Sequence, residues 1–222
     1  VVPADAVVPL PEGVPAARAV LAANLETAIN ACWDGAPAVG DRVAVVGAGV
    51  LGSLVAWLCA RIPGVELELI DTDPGRARLA EALGLVHRLP DQARGDCDLV
   101  FHASGNPAGL VRALELAGQD ATVVEMSWYG RRSAELPLGA AFHARRLRLQ
   151  SSQVGRLPPQ RSPRWDYRRR MELALALLVD PRMDALISGE TDFTDLPALM
   201  QRLADAPAGA LCERIRYDGP TP

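Results

Sequence analysis

The chain has 222 residues, of which 49% are hydrophobic and 23% are charged. This composition is typical of a globular protein and excludes intrinsic disorder, and the length suits one large domain with a small additional segment. The net charge of −4 is too weak to predict binding to nucleic acid or to a membrane surface. All 23 basic residues are arginines, which excludes every chemistry that needs a lysine amine.

The cysteines predict neither a disulfide framework nor a structural zinc site. Cys32, Cys59, Cys97 and Cys212 are widely spaced and form no C-x-x-C pair. The uncharged stretch 43–60 is interrupted by glycines and is typical of a strand, a turn and a helix rather than of a membrane span. With reduced thiols and no secretory signal, we expect a cytoplasmic protein.

Short apolar runs alternate with helical stripes along the chain. The first helix is predicted at 15–33, where Leu21, Leu25, Ala28 and Cys32 repeat with helical spacing. In order after it come a strand at 42–46, a helix from about 50, a strand at 66–70, a helix at 76–83, a short strand at 86–88, a strand at 98–103, a helix at 108–116 and a strand at 121–126. A strand at 147–152, a helix at 164–179, a short strand at 185–188, a helix at 196–203 and a strand at 211–217 complete the chain. This alternation predicts an α/β fold with a parallel sheet covered on both faces.

A glycine motif joins the first predicted strand to the helix that follows it. The sequence GAGVLG fits G-x-G-x-x-G: Gly47 permits the tight turn, Gly49 lets a diphosphate approach the backbone, and Gly52 lets the helix pack close to the strand. The diphosphate would lie at the helix N-terminus, beside Val50 and Leu51, where free N–H groups favour anions. The motif predicts a dinucleotide site.

An aspartate follows the motif at the expected distance. Asp71 ends the second predicted strand, 19 residues after Gly52, where a carboxylate accepts hydrogen bonds from adenosine ribose hydroxyls. A 2′-phosphate would meet like charge there, so NAD is favoured over NADP, although the nearby Arg76 and Arg78 weaken that preference. An S-adenosylmethionine site, or a strand–turn–helix that binds nothing, are the alternatives.

Several segments together resemble a known family. PAVGDRVAVVGAGVLG at 37–52, RARLAEALG at 76–84, Ser104-Gly105 and SSQVG at 151–155 resemble the medium-chain dehydrogenase/reductase superfamily, which includes the zinc-type alcohol dehydrogenases. SWYG at 127–130 and QVG at 153–155 resemble a subgroup that includes bacteriochlorophyllide hydroxyethyl dehydrogenases. The resemblance extends over nearly the whole chain.

The resemblance implies an NAD(H)-dependent oxidoreductase of alcohol dehydrogenase type, which transfers hydride between an alcohol or carbonyl substrate and nicotinamide. It implies a Rossmann fold, a doubly wound parallel sheet, with a small C-terminal α+β tail. Residues 1–14 would be a remnant of an N-terminal GroES-like catalytic domain, 15–179 the dinucleotide-binding domain, and 180–222 a segment that returns to the catalytic domain. This chain alone would then be the cofactor-binding portion and inactive.

The resemblance also assigns further cofactor contacts. Thr27 would approach the nicotinamide, and Ser104 and Gly105 would follow the fourth strand near the cofactor. Ser127 would follow the fifth strand and Gln153 the sixth. No catalytic acid or base is assigned.

Zinc is not expected in this chain. In zinc-binding members a cysteine four residues before a threonine holds the metal. Thr27 matches that threonine, and the ligand position is Ala23.

Two polar side chains remain as weaker candidates for proton transfer. His102 precedes Ser104 at a strand end, where a hydrogen-bonded, partly buried histidine is the alternative interpretation. Tyr129 lies near the expected nicotinamide, but the sequence supplies no partner that would lower its pKa.

The sequence leaves alternatives open for the substrate and for the function. Nine of the 23 arginines fall within residues 145–170; the interpretations are contacts with an anionic substrate, with the cofactor phosphates or with RNA, or a solvated surface with ion pairs. A non-catalytic NAD(H)-binding sensor or scaffold is the competing function. We also expect a homodimer, because the strand at 147–152 and the strands of the tail would form an exposed sheet edge.

Overall fold

The computed structural model describes residues 2–205 and 209–217. It contains a six-stranded parallel sheet in the order β3-β2-β1-β4-β5-β6. The strands are β1 (Arg42–Val46), β2 (Glu66–Ile70), β3 (His87–Arg88), β4 (Cys97–His102), β5 (Ala117–Glu125) and β6 (Arg148–Ser151). The order reverses between β1 and β4, so this Rossmann-type sheet, predicted from the sequence, has its switch point beside the glycine motif.

Helices cover both faces of the sheet. They are α1 (Ala16–Ala19), α2 (Ala22–Gly35), α3 (Val50–Cys59), α4 (Arg76–Leu83), α5 (Pro107–Leu116) and α6 (Tyr167–Leu177). Alternation along β1 divides the core: Val43 and Val45 belong to one buried cluster with α2, α3 and α6, whereas Ala44 and Val46 belong to a second with α5. Both layers are therefore required to bury the central strand.

The first predicted helix is divided in the structure. The N–H of Leu21 donates to the carbonyl of Arg18 at 3.1 Å, a tight turn that separates α1 from α2. Strand β5 begins at Ala117, four residues earlier than predicted, with a register shift against β4 between Cys97 and Leu99. Neither difference moves the carboxyl edge of the sheet.

The C-terminal part of the chain adds a small parallel pair of strands. It consists of β7 (Ile187–Asp192), α7 (Leu196–Asp205) and β8 (Cys212–Arg216). Ion pairs link the two strands, from Arg214 to Glu190 and from Arg216 to Asp192. This is the small α+β tail expected from the sequence.

Two buried arginines connect distant parts of the chain. Arg18 Nε donates to Asp184 Oδ1 at 2.7 Å, and this hydrogen bond lowers the pKa of Asp184. Arg170 on α6 donates through Nη1 to Asn30 Oδ1 at 2.6 Å and through Nε to Glu26 Oε1 at 3.1 Å. Its side chain is only 4% exposed and that of Glu26 only 13%, so α6 is held on α2 by a buried ion pair.

Candidate functional site

The glycines of the motif are required by the close packing of the turn. Gly47 has a φ of +109°, and a Cβ there would lie 2.7 Å from the backbone nitrogen of Ser104. A Cβ on Gly52 would overlap the carbonyl oxygen of Gly47. The β1–α3 turn can therefore approach β4 and fold onto its own helix only without side chains at these positions.

Backbone N–H groups are available where α3 begins. The N–H of Gly47 donates to the carbonyl of Ile70 at 2.8 Å, and that of Ser53 donates to Gly49 at 3.0 Å. Within residues 2–205 and 209–217, the N–H groups of Val50 and Leu51 have no acceptor. A helix N-terminus with unpaired donors is suited to bind an anionic group.

Asp71 lies against the same turn. Its Oδ2 accepts from the N–H of Ala48 at 2.7 Å, and its Oδ1 accepts from the N–H of Asp73 at 2.9 Å. Each carboxylate oxygen retains a further lone pair with which it can accept from a ligand hydroxyl. The second strand therefore places its carboxylate beside the glycine turn, as the spacing predicts.

A cavity of about 480 Å³ opens at this edge of the sheet. Four residues of the predicted site line it: Gly47, Gly49, Asp71 and Ser104. Thr72, Arg76, Pro90, Ala108 and Arg112 complete much of its wall. The volume is in the usual range for small-molecule sites.

The other predicted contacts lie around this cavity or apart from it. The N–H of Gly105 donates to Ser127 Oγ at 3.1 Å, so these two residues adjoin Ser104. Thr27 and Gln153 do not line the cavity: Thr27 Oγ1 donates to the carbonyl of Ala23 at 3.0 Å, and Gln153 is exposed after β6. Their contacts with the nicotinamide stay a prediction.

A histidine and a glutamate meet at the ends of β4 and β5. His102 and Glu125 are paired in the register of these strands, and His102 Nδ1 lies 2.8 Å from Glu125 Oε2. On the other side of the ring, His102 Nε2 lies 2.7 Å from Ser104 Oγ. The histidine is fully buried, whereas Ser104 is exposed to the cavity.

Glu125 is held as a carboxylate by several donors. The N–H of Ser127 donates to its Oε1 at 2.6 Å and the hydroxyl of Tyr129 donates to its Oε2 at 3.0 Å. Burial opposes ionisation, but the hydrogen bonds from His102 and Ser127, and the charge that His102 carries when it is protonated, outweigh it and lower the pKa of Glu125. Burial and the charge of Glu125 raise the pKa of Tyr129, so this tyrosine acts as a hydrogen-bond donor.

Sequence reasoning missed Glu125, although a signal for it was present. His102 and Glu125 are the last residues of two apolar runs, and the carboxyl ends of neighbouring parallel strands meet at one edge. Two polar side chains that end buried strands in this way are candidates for a contact. What the sequence could not show is that these two strands are neighbours in exact register.

Within residues 2–205 and 209–217, no cluster of three or more histidine, cysteine, aspartate or glutamate side chains could hold a metal ion. No helix in that part of the chain has the length and apolar character needed to cross a membrane.

Comparison with known proteins places the fold among dehydrogenases. The structure matches L-idonate 5-dehydrogenase from Escherichia coli with a TM-score of 0.77 at 23% identity, over 94% of this chain and 59% of that one. It matches 2R,3R-butanediol dehydrogenase from Bacillus subtilis with a TM-score of 0.74 at 19% identity, over 93% and 59% of the two chains. An alcohol dehydrogenase from Escherichia coli complexed with NADH matches with a TM-score of 0.74 at 22% identity, over 95% and 62%.

Sequence similarity is more limited. L-threonine 3-dehydrogenase from Ruegeria pomeroyi is 28% identical over 124 residues, which are 56% of this chain and 36% of that protein. No family model matches the chain. The chain spans about a third of this curated relative and about three fifths of the solved dehydrogenases. The resemblance to medium-chain dehydrogenases predicted from the sequence is therefore confirmed, in fold over nearly the whole chain and in sequence over about half of it.

Proposed function

We propose that this chain is the cofactor-binding portion of an NAD(H)-dependent oxidoreductase of alcohol dehydrogenase type. The observation that carries the proposal is one cavity lined by Gly47, Gly49 and Asp71, with the unpaired N–H groups of Val50 and Leu51 directly after Gly49. Donors suited to a diphosphate and an acceptor suited to a ribose lie side by side there. The dehydrogenases that share the fold, one of them solved with NADH, support this assignment.

The residues present fit a nicotinamide dinucleotide. The start of α3 would hold the diphosphate, and Asp71 would accept from the adenosine ribose hydroxyls. The absence of a side chain at Gly49, where an added Cβ would meet no atom within 4 Å, leaves the backbone open to the ligand. When bound, nicotinamide supplies the hydride chemistry, and this chain binds and orients the cofactor. An alcohol or carbonyl compound is the proposed substrate.

The cavity favours NAD, but its wall also contains arginine side chains of opposite effect. Asp71 would repel a 2′-phosphate, whereas the guanidinium of Arg76, which lies 3.5 Å from Asp73 and lines the same cavity, would attract it. Asp71 is the closer to the turn, because it bonds the backbone of Ala48 itself. We therefore expect NADH to bind more tightly than NADPH. A dehydrogenase from Sinorhizobium meliloti with the same fold was solved with NADP, so the fold alone does not decide.

Titration of the chain with NADH, followed by the fluorescence of the reduced nicotinamide, is expected to give saturable binding. ADP should compete, because it carries the diphosphate and the ribose that the turn and Asp71 would hold. S-adenosylmethionine should not compete, because it has no diphosphate. The proposal would be contradicted if S-adenosylmethionine displaced NADH and ADP did not. It would also be contradicted if NADH showed no saturable binding.

We further propose that two copies associate through β6. All four residues of this edge strand, Arg148 to Ser151, are exposed, and an edge with unpaired backbone groups can pair with a second copy. Sedimentation of the chain is expected to show a dimer that Leu149→Pro converts to monomer, since proline removes a backbone donor from the edge. A wild-type chain that remains monomeric at high concentration would refute this arrangement.

A further inference from the structure

Three side chains form a hydrogen-bonded series, of which one, Ser104, also belongs to the predicted cofactor site. Glu125, whose side chain is 14% exposed, bonds the fully buried His102, which in turn bonds Ser104 at the surface of the cavity. The two distances, 2.8 Å from carboxylate to Nδ1 and 2.7 Å from Nε2 to Oγ, are those of strong hydrogen bonds. An acid, an imidazole and a hydroxyl thus lie in the order that activates a nucleophile.

The carboxylate fixes the direction of the hydrogen bond at Nδ1 of His102. Because ionised Glu125 is only an acceptor, Nδ1 of His102 carries a proton, and in the neutral ring Nε2 then has the lone pair. With the ring in that tautomer, Ser104 donates its hydroxyl proton to Nε2 at 2.7 Å rather than to the carbonyl of Asn106 at 3.4 Å, and the N–H of Asn106 donates to Ser104 Oγ at 3.2 Å. Ser127 and Tyr129 donate to the same carboxylate, which keeps it oriented toward the ring.

Ser104 borders both the cavity and Gly109 of α5. Ser104 lies in the turn between β4 and α5 and lines the cavity. Gly109 of α5 faces it, and a Cβ on this glycine would overlap Ser104 Oγ and lie 2.8 Å from His102 Nε2. Gly49, which directly precedes the unpaired N–H groups of α3, lines the same cavity, and donors of this kind can stabilise a developing oxyanion.

We propose that Ser104 is an activated nucleophile and that this cavity cleaves small acyl esters. Ser104 Oγ bonds to the ester carbonyl carbon while its proton passes to His102 Nε2. The bond from that carbon to the alcohol oxygen then breaks, and the alcohol leaves with the proton from His102. Water attacks the acyl-serine, giving a proton to His102, and the carboxylic acid leaves as Ser104 regains its proton.

This activity goes beyond the proposed function and shares its cavity. An acyl group on Ser104 would occupy space that a dinucleotide needs, because Ser104 and the glycine turn line one cavity. NADH is therefore expected to slow the reaction at Ser104. The two functions would exclude each other in any one molecule.

The test uses a fluorophosphonate probe, with peptide mapping of the modified residue, and p-nitrophenyl acetate as substrate. We expect the probe to label Ser104, and His102→Ala to slow labelling and ester turnover about a hundredfold. Glu125→Gln should slow both while keeping the size of the side chain. His143→Ala and Ser162→Ala, which alter exposed residues away from the cavity, should react as the wild type does.

A buried histidine can also be needed for folding, so the test includes Gly109→Ala. Its methyl group would push Ser104 Oγ from His102 without removing either, and it too should slow labelling. Thermal unfolding of each variant distinguishes slow labelling of a folded chain from loss of the fold. Absence of label on Ser104, or labelling of folded His102→Ala at the wild-type rate, would overturn the proposal. Either result would leave NADH binding, which is measured separately, unaffected.

Discussion

Replacement of Arg170 by methionine is expected to lower the free energy of unfolding by about 3 kcal/mol, because removing one partner of a buried ion pair leaves the other charge uncompensated. Glu26 would keep its carboxylate in the α2–α6 interface without the 3.1 Å contact to the guanidinium, and Asn30 Oδ1 would lose its 2.6 Å donor. Because methionine fills a similar volume, the decrease in the free energy of unfolding measures the lost charge and hydrogen bonds rather than lost packing. Urea denaturation followed by circular dichroism measures it.

Arg164→Met is the matched control, because Arg164 is exposed and exposed charges contribute little to stability. The double variant Arg170→Met, Glu26→Gln should recover part of the lost stability, since no charge then remains without a partner. If Arg170→Met unfolds at the same urea concentration as the control, the ion pair does not hold α6 on α2.

Replacement of Asp71 by alanine is expected to weaken NADH binding about 10- to 100-fold, as a hydrogen bond to a charged group is worth about 1.5 to 3 kcal/mol. The affinity for NADPH should fall less, because the substitution removes the negative charge that repels its 2′-phosphate while Arg76 remains. The ratio of the two dissociation constants should therefore move toward NADPH. Fluorescence titration of both cofactors measures this ratio.

Asp71→Asn separates two effects of the carboxylate. Asparagine keeps an oxygen that can accept from the N–H of Ala48, so the turn should retain its shape while the negative charge is lost. Glu81→Ala removes an exposed acid on α4 and should change neither affinity. Unchanged NADH affinity in folded Asp71→Ala would contradict the placement of the ribose.

The fold could be predicted in detail where the chain carries strong local signals. β1 and β2 have the predicted limits because each begins at a charged residue, and because the glycine turn ends β1 and Asp71 ends β2. Gly84, with a φ of +72°, ends α4 at the predicted position. Gly47, Gly49 and Asp71 share a cavity because a single β-α-β unit determines their positions. Interactions within such a unit are short in sequence and leave a clear pattern.

Contacts between distant segments left no such pattern. Arg170 reaches Glu26 and Asn30 across more than 130 residues, and in the sequence it is one of nine arginines in a basic stretch. The partner of His102 depended on which strands are neighbours and in what register. The early start of β5 follows from pairing between Cys97 and Ala117, which no periodicity in either strand encodes.

Asp71 does more than offer an acceptor to a ligand. Its carboxylate accepts from the N–H of Ala48 at 2.7 Å, and the carbonyl of Ile70 accepts from the N–H of Gly47 at 2.8 Å. These two intramolecular hydrogen bonds fix the glycine turn to the end of the second strand. A binding site that is already ordered before the ligand arrives loses little conformational entropy on binding. Association should consequently proceed in one fast step, with no slow isomerisation of the protein after encounter.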